Sequence, residues 1–514
     1  MQRRTLLVAA ALTVTSVLLY ATRLGFTPAY LMHDEMQFTL QAQSIASSGR
    51  DLSGRLLPVF FTEPEFPAGR DPVIIYVTAA MLTWLPFSEM SARLPTALMG
   101  VLSILLMFLL ARRLFGSDRA ALVSAALLAF TPAHFMRSRL ALSPQYAIPV
   151  VLAWLLVMVL FAERASVRRL AAAAAVLGAG VYTYLASVVM MPLYLALTLW
   201  WGGRTLGWRA AGLAGLAFLV VLMPMALWYL THPERTTQIV SAYQLAGAAG
   251  GGGLDLSSMA GVIRARLGLF WSFFSPAFLV VSGDSSLVNS TRQIGFFPLS
   301  FIVFLPVGIY RLVAARQPMA QLILAGLATA PLATVLTGAL EMNRLLLLIP
   351  FGVLTACYGM VALATARAAV WRAVAVLLLV SVPIQFAGFY ADYMGRYRVE
   401  SAPWFGGNTR DVFNAAIARA GADPEVQVLV SDGIPFADRY WRFYALVNGR
   451  ADLVGRMTRY RPGRADHAGA KAVLACPITA AECRELMGGA AWRTVTIATE
   501  LDGSPSFALL ERTP

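Results

Sequence analysis

"TLLVAAALTVTSVLLYATRLGFTPAYLMHDEMQFTLQAQSIASSGRD", residues 5–51, sets a long apolar run against an Asp34-Glu35 pair and an amphipathic segment closed by Gly49. The run at 5–22 is long enough to enter a bilayer. No convincing small-residue cleavage site follows it, so it reads as an uncleaved first span rather than a signal peptide. Two carboxylates directly beside such a span need either a structural or a chemical reason. The rest of the chain decides between them.

The 514 residues are 58% hydrophobic and 13% charged, whereas soluble domains carry roughly 25% charged residues. Further apolar runs lie near 93–111, 119–134, 148–162, 170–187, 189–201, 210–230, 298–314, 319–336, 345–363 and 373–390. The expected fold class is therefore an all-α polytopic membrane protein of about eleven spans. The net charge of +14 comes almost wholly from Arg, since Lys471 is the only Lys. These arginines cluster in short connections ("QRR", "ARRLFGSDR", "ERASVRR", "GGRTLGWR", "YRLVAARQ", "ARAAVWR"), which all fall in the cytoplasm if the N-terminus does. Charge here reports topology and excludes a nucleic-acid partner.

"PVIIYVTAAMLTWLP" (72–86) is short, with Pro at both ends. Counting it as a span would turn "ARRLFGSDR" outward against the charge rule, so it is expected to lie along the outer face. The expected division is 1–392 for the membrane domain and 393–514 for the tail. The membrane domain then has a first outer loop at 23–92 and a second at 231–297. The glycine-rich "AGAAGGGGLDLSS" of the second loop matches neither a P-loop nor a dinucleotide fingerprint and reads as a connector. In the tail, "EVQVLVSD" and "AKAVLAC" read as strands, "TRDVFNAAIARA" and "DRYWRFYALV" as helices, and "WRTVTIATELDGSPSFALLERT" as a hairpin around Asp502-Gly503. This makes a small extracytoplasmic α/β domain. It holds Cys476 and Cys483, which are expected to lie close enough to bridge in an oxidising compartment.

On the outer side, Asp34 and Glu35 have basic company: Arg70 beside Asp71, Arg93 with Glu89, Arg137 and Arg139 in "FMRSRLALSPQ", and Arg344 with Glu341 and Asn343 in "LEMNRLLLLIP". The structural alternative for Asp34 is the N-cap of the amphipathic helix, with Glu35 in its first turn. For each arginine it is an interfacial side chain that snorkels. Together, carboxylates and arginine forks at one interface suit an anionic, membrane-borne ligand, with a carboxylate as general base.

The Asp34-Glu35 pair after the first span resembles the GT-C glycosyltransferases that use polyprenyl-phosphate sugar donors, within them the bacterial relatives of protein O-mannosyltransferases and of the lipid A aminoarabinose transferase. "RDPVIIYVTAAML", "SARLPTALMGVLSILLMFLLARRLFG", "TPAHFMRSRLAL" and "SFFSPAFLVVSGDSSLVNSTRQIGFFPL" are similar to further segments of that family. The resemblance covers about residues 1–400 and the tail matches only loosely. It implies an inverting transfer at the outer face of the cytoplasmic (inner) membrane, from a polyprenyl-phosphate sugar to a hydroxyl of a protein, lipid or polysaccharide. It makes Asp34 the base, Glu35 its catalytic neighbour and Arg93 a structural or phosphate-facing arginine. Arg70, Arg139 and Arg344 are further phosphate candidates.

Relatives often carry a second acidic residue in the loop after the third span, where this chain has Ser143 and Gln145. A bridging divalent metal is therefore possible but doubtful, and the sequence points to no cofactor with certainty. The four histidines lack ligand spacing, so no metal site is expected either, although His33 and His134 could meet at the outer face. A transporter or lipid-linked-sugar flippase is the competing class, but the internal repeat and mid-membrane polar sites it would need are not evident. A third reading keeps the fold and drops catalysis, with the absent acid as its mark.

Overall fold

Helices occupy each of the eleven apolar runs in the computed structural model, which describes residues 3–63, 66–233, 256–337, 342–461 and 471–512. The glycine-rich connector lies mostly, and Glu341 and His467 wholly, outside the described residues. The chain divides into two compact units. The first comprises 1–22, 57–76 and 94–391; the second comprises 23–56, 77–93 and 392–514. Pieces of the first outer loop thus group with the tail rather than with the spans.

The first unit holds α1 (Arg3–Ala21), the hairpin β1 (Phe61–Glu63) and β2 (Phe66–Arg70), the start of α3 (Pro72–Leu82), and most of α4 (Glu89–Phe115). It continues through α5 (Asp118–Ala129), α6 (Pro132–Ser138), α7 (Ala147–Glu163), α8 (Val167–Gly180), α9 (Leu185–Leu206) and α10 (Trp208–Thr231) to later helices ending with Ala369–Met394. Local chemistry sets several of these starts. Ser117 and Ser166 accept hydrogen bonds from the free backbone N–H groups of Ala120 and Arg169 at the heads of α5 and α8. The helices Phe301–Ala315 and Leu348–Ala364 pack backbone to backbone because Gly308 and Gly359 bear no side chain. A Cβ on Gly308 would lie 1.9 Å from the Thr355 carbonyl, and one on Gly359 2.0 Å from that of Phe304.

Among the described residues, six helices are long and apolar enough to cross a membrane, and a seventh span arises if α5 and α6, bent by 64°, count as one. Four further apolar helices have 10–17 residues, including Pro72–Leu82, Phe301–Ala315 and Leu348–Ala364. At 1.5 Å per residue these fall short of a hydrocarbon core of about 30 Å. Length and composition therefore support a multi-pass membrane protein without fixing the expected count.

In the second unit, α2 (His33–Ser48) ends at Gly49, whose φ of 69° is the left-handed conformation that glycine adopts without strain. The tail forms a five-stranded sheet in the order β4 (Met457–Tyr460), β3 (Gln427–Ser431), β5 (Ala472–Pro477), β7 (Pro505–Arg512), β6 (Arg493–Thr499). β3 runs parallel to both β4 and β5, while β7 is antiparallel to β5 and β6. Leu429, Leu474, Leu510 and Trp492 build its core. The helices Thr409–Ala422 and Ala437–Val447 and the hairpin turn at Gly503 stand where the sequence reading places them. β4 does not appear in that reading. Cys476 and Cys483 are joined by a disulfide, as their expected proximity allows.

Candidate active site

The first turn of α2 sorts its side chains by direction. Met32, not Asp34, is the N-cap, so the structural alternative for Asp34, a capping role, falls elsewhere. Glu35, three positions on, accepts the Met32 backbone N–H through Oε2 at 3.1 Å. The same carboxylate is fully buried and is gripped by Arg93, with Nε donating to Oε1 at 2.8 Å and Nη2 to Oε2 at 3.0 Å. The remaining Arg93 donors go to the carbonyls of Leu24, Pro28 and Tyr30 at 3.4, 2.7 and 2.6 Å. A guanidinium has five N–H groups, and all five are engaged at a site with no solvent exposure. Of the two roles the resemblance left for Arg93, this geometry is the structural one. Glu35 likewise has its carboxylate committed to the scaffold.

Asp34 differs. Its side chain keeps about a third of its surface open, with Oδ1 3.7 Å from His33 Nε2. His33 stacks on Phe436, centroids 4.1 Å apart and planes 10° from parallel. Tyr440 sits on the helix Ala437–Val447 and hydrogen-bonds the backbone of His33. Burial pushes its phenol above the ordinary range, and the nearby Glu35 and Asp34 carboxylates push in the same direction. Glu89, at the head of α4, is held by Arg410 Nε at 2.7 Å and by the Tyr444 hydroxyl at 3.2 Å.

In the first unit a second polar cluster surrounds α6 and the 3₁₀ turn Ser143–Tyr146. Arg139 donates to the Tyr20 and Thr22 carbonyls at 2.8 and 2.9 Å, tying down the end of α1. Arg137 donates to Asn289 Oδ1 at 2.9 Å, and Asn289 Nδ2 donates to Asp284 at 3.0 Å. His134 lies between the Tyr20 hydroxyl (2.8 Å) and Gln145 Nε2 (3.2 Å), and Tyr20 donates to the Ala129 carbonyl at 2.9 Å. These contacts are mutually consistent if His134 is neutral and protonated on Nδ1. The two histidines have distinct surroundings: an aromatic stack for His33 and a closed hydrogen-bond chain for His134.

Arg70 ends β2, mostly buried. The adjacent Asp71 hydrogen-bonds Ser143, so the loop without a carboxylate of its own meets one from the first outer loop. Burial raises the Asp71 carboxyl to about 7, while the Ser143 hydrogen bond and the Arg70 charge pull it down. Arg344 stands in the 3₁₀ turn Met342–Leu345, partly exposed. Among the described residues, no three His, Cys, Asp or Glu side chains converge as a metal cage. The sequence names none of Phe436, Tyr440, Asp284 and Asn289 as a site residue, although the last three fall in segments quoted above. Of these, only the polar "SGDSSLVNSTRQ" amid apolar neighbours carried a signal.

Residues 67–228 match the family model described as dolichyl-phosphate-mannose-protein mannosyltransferase. The fold matches that of ArnT from Cupriavidus metallidurans bound to undecaprenyl phosphate, with a TM-score of 0.62 and 16% identity over 99% of this chain and 98% of that one. The apo state of the same protein gives 0.56 and 17% over 97% of both chains. No curated protein sequence gives a significant match. The chain thus shares the fold of ArnT, and its residues 67–228 are similar to the mannosyltransferase family, in line with the sequence resemblance. Its several long apolar helices make it a multi-pass membrane protein.

Proposed function

We propose that this protein transfers a sugar from a polyprenyl-phosphate donor to an acceptor hydroxyl at the outer face of the cytoplasmic membrane, with inversion and with Asp34 as general base. The observation that carries the reading is the division of labour in the first turn of α2. Glu35 is buried in its bond with Arg93, while Asp34 stays accessible beside it. The undecaprenyl phosphate bound by the similarly folded ArnT supports the donor class.

In the transfer, Asp34 takes the proton of the acceptor hydroxyl as its oxygen bonds to the anomeric carbon. The bond from that carbon to the phosphate oxygen breaks, and its electron pair leaves with the polyprenyl phosphate. Negative charge grows on that phosphate, which cationic side chains would stabilise. The family resemblance offers Arg70, Arg139 and Arg344 for that part, while Arg93 holds Glu35. The acceptor is a hydroxyl of a protein, a lipid or a polysaccharide.

The test is release of free polyprenyl phosphate from a panel of undecaprenyl-phosphate-linked sugars, with membranes of the source organism as acceptor. Asp34→Asn keeps the side chain's size and removes the proton acceptor. Turnover is expected to fall by about 10²–10⁴-fold, the range of general-base catalysis. An Asp34→Asn protein with wild-type turnover would refute the assignment.

A further inference from the structure

Phe436 is a bulky residue in a backbone conformation that such residues rarely adopt. Its φ of 54° and ψ of 29° lie in the left-handed region, at the N-cap of the helix Ala437–Val447. For an L-residue this conformation is strained relative to the right-handed one, and glycine escapes the penalty. Such outliers persist where the surroundings over-determine them, and they cluster at functional sites.

The surroundings here are explicit. The loop that leads from β3 to Phe436 is fixed at several points: Gly433 N–H donates to Ser431 Oγ at 3.0 Å, and Arg459 Nη1 donates to the Ile434 carbonyl at 2.8 Å. The Ser431 hydroxyl also donates to Glu482, on the helix Ala481–Gly488 that the Cys476–Cys483 disulfide ties to the end of β5. On this rigid mount the Phe436 ring meets the His33 imidazole nearly face to face, and the buried Arg439 guanidinium lies 4.5 Å from the ring centre. On the helix that follows, Tyr440 bonds the backbone of His33.

Successive side chains on a helix diverge by about 100°. His33 therefore comes within 3.7 Å of the Asp34 carboxylate only when its ring is turned toward that residue, and a ring stacked on Phe436 is held there. We propose that Phe436 is a positioning residue for Asp34: the C-terminal domain clamps His33, and His33 sets the orientation of the carboxylate. The domain that the family resemblance covers most loosely thus completes the reacting end of the molecule. The inference rests on Asp34 being the base.

The test uses the full-length protein with a donor sugar that the wild type turns over. Phe436→Gly removes the ring and also the backbone penalty, so its thermal midpoint should stay at or near the wild-type value. Its kcat should fall by about 10²-fold, the penalty for displacing a catalytic group by about 1 Å, while KM for the donor stays unchanged. Phe436→Tyr keeps a stacking ring and should recover most of the lost turnover. Wild-type kcat in Phe436→Gly, while Asp34→Asn is inactive, would overturn the inference and leave the base assignment standing. A Phe436→Tyr protein as slow as the glycine variant would also overturn it, because the ring would then not be what matters. If Asp34→Asn itself is active, the base assignment falls first and takes this inference with it.

Discussion

Asp34 and Glu35 are adjacent in the chain and opposite in circumstance. Helical geometry turns one inward to Arg93 and leaves the other accessible. That a carboxylate pair stands beside the first span is legible in the sequence. Which member stays accessible is not, because it depends on Arg93, 58 residues away. An arginine near an interface serves equally well for snorkelling, phosphate binding or ion pairing, so residue type alone could not show that Arg93 pairs with Glu35. Asp71 offers a test by pH. Its folded carboxyl titrates near 7 against an ordinary 3.8, so between those values the folded protein holds a proton that the unfolded chain has lost. Stability from this group is full below about pH 4, declines as pH rises to about 7 and is flat above. The loss is at most about 4 kcal/mol, less because Asp71 keeps some exposure. Asp71→Asn should flatten that decline when thermal midpoints are followed from pH 4 to 8. Parallel slopes in the two proteins would show that Asp71 ionises normally.

At the scale of elements, hydropathy is a local property, which is why every apolar run in the sequence holds a helix. Helix length is less local. α8 stops at Gly180 and α5 gives way to α6 at Phe130 and Thr131, within runs whose composition alone would let them continue. β4 is four residues with an arginine in the middle, and it becomes a strand only because the edge of β3 is there to pair with it. The Glu35–Arg93 bond fastens α2 to α4, and its energetics follow from burial. Arg93→Ala would leave a buried carboxylate and three carbonyls without their donor, and should destabilise the protein by about 3–5 kcal/mol. Arg93→Met combined with Glu35→Leu removes both charges and should be distinctly milder than Arg93→Ala. Unfolding in detergent by urea or heat would measure this, and a double variant as unstable as the single one would exclude a buried ion pair.

Over the whole molecule, the arginine clusters predict a cytoplasmic N-terminus and an outer C-terminal domain, with residues 72–86 not crossing. A membrane-impermeant thiol reagent applied from outside should label a cysteine placed at Ser88 and spare one placed at Arg113. Labelling at Arg113 would overturn the arrangement of spans. The expected boundary near 392 came from a change in composition. That change could not reveal that residues 23–56 and 77–93 group with the tail, since this is a matter of long-range packing. The stacking of His33 on Phe436 joins residues about four hundred positions apart. Ribosomes add about 5–20 residues per second, so the first turn of α2 is made and then waits roughly 20–80 s for its clamp. A nascent or prematurely ended chain would already carry Asp34 and most of its membrane helices, but not the ring that orients that carboxylate for reaction. Synthesis order thereby makes a finished polypeptide the condition for an armed one.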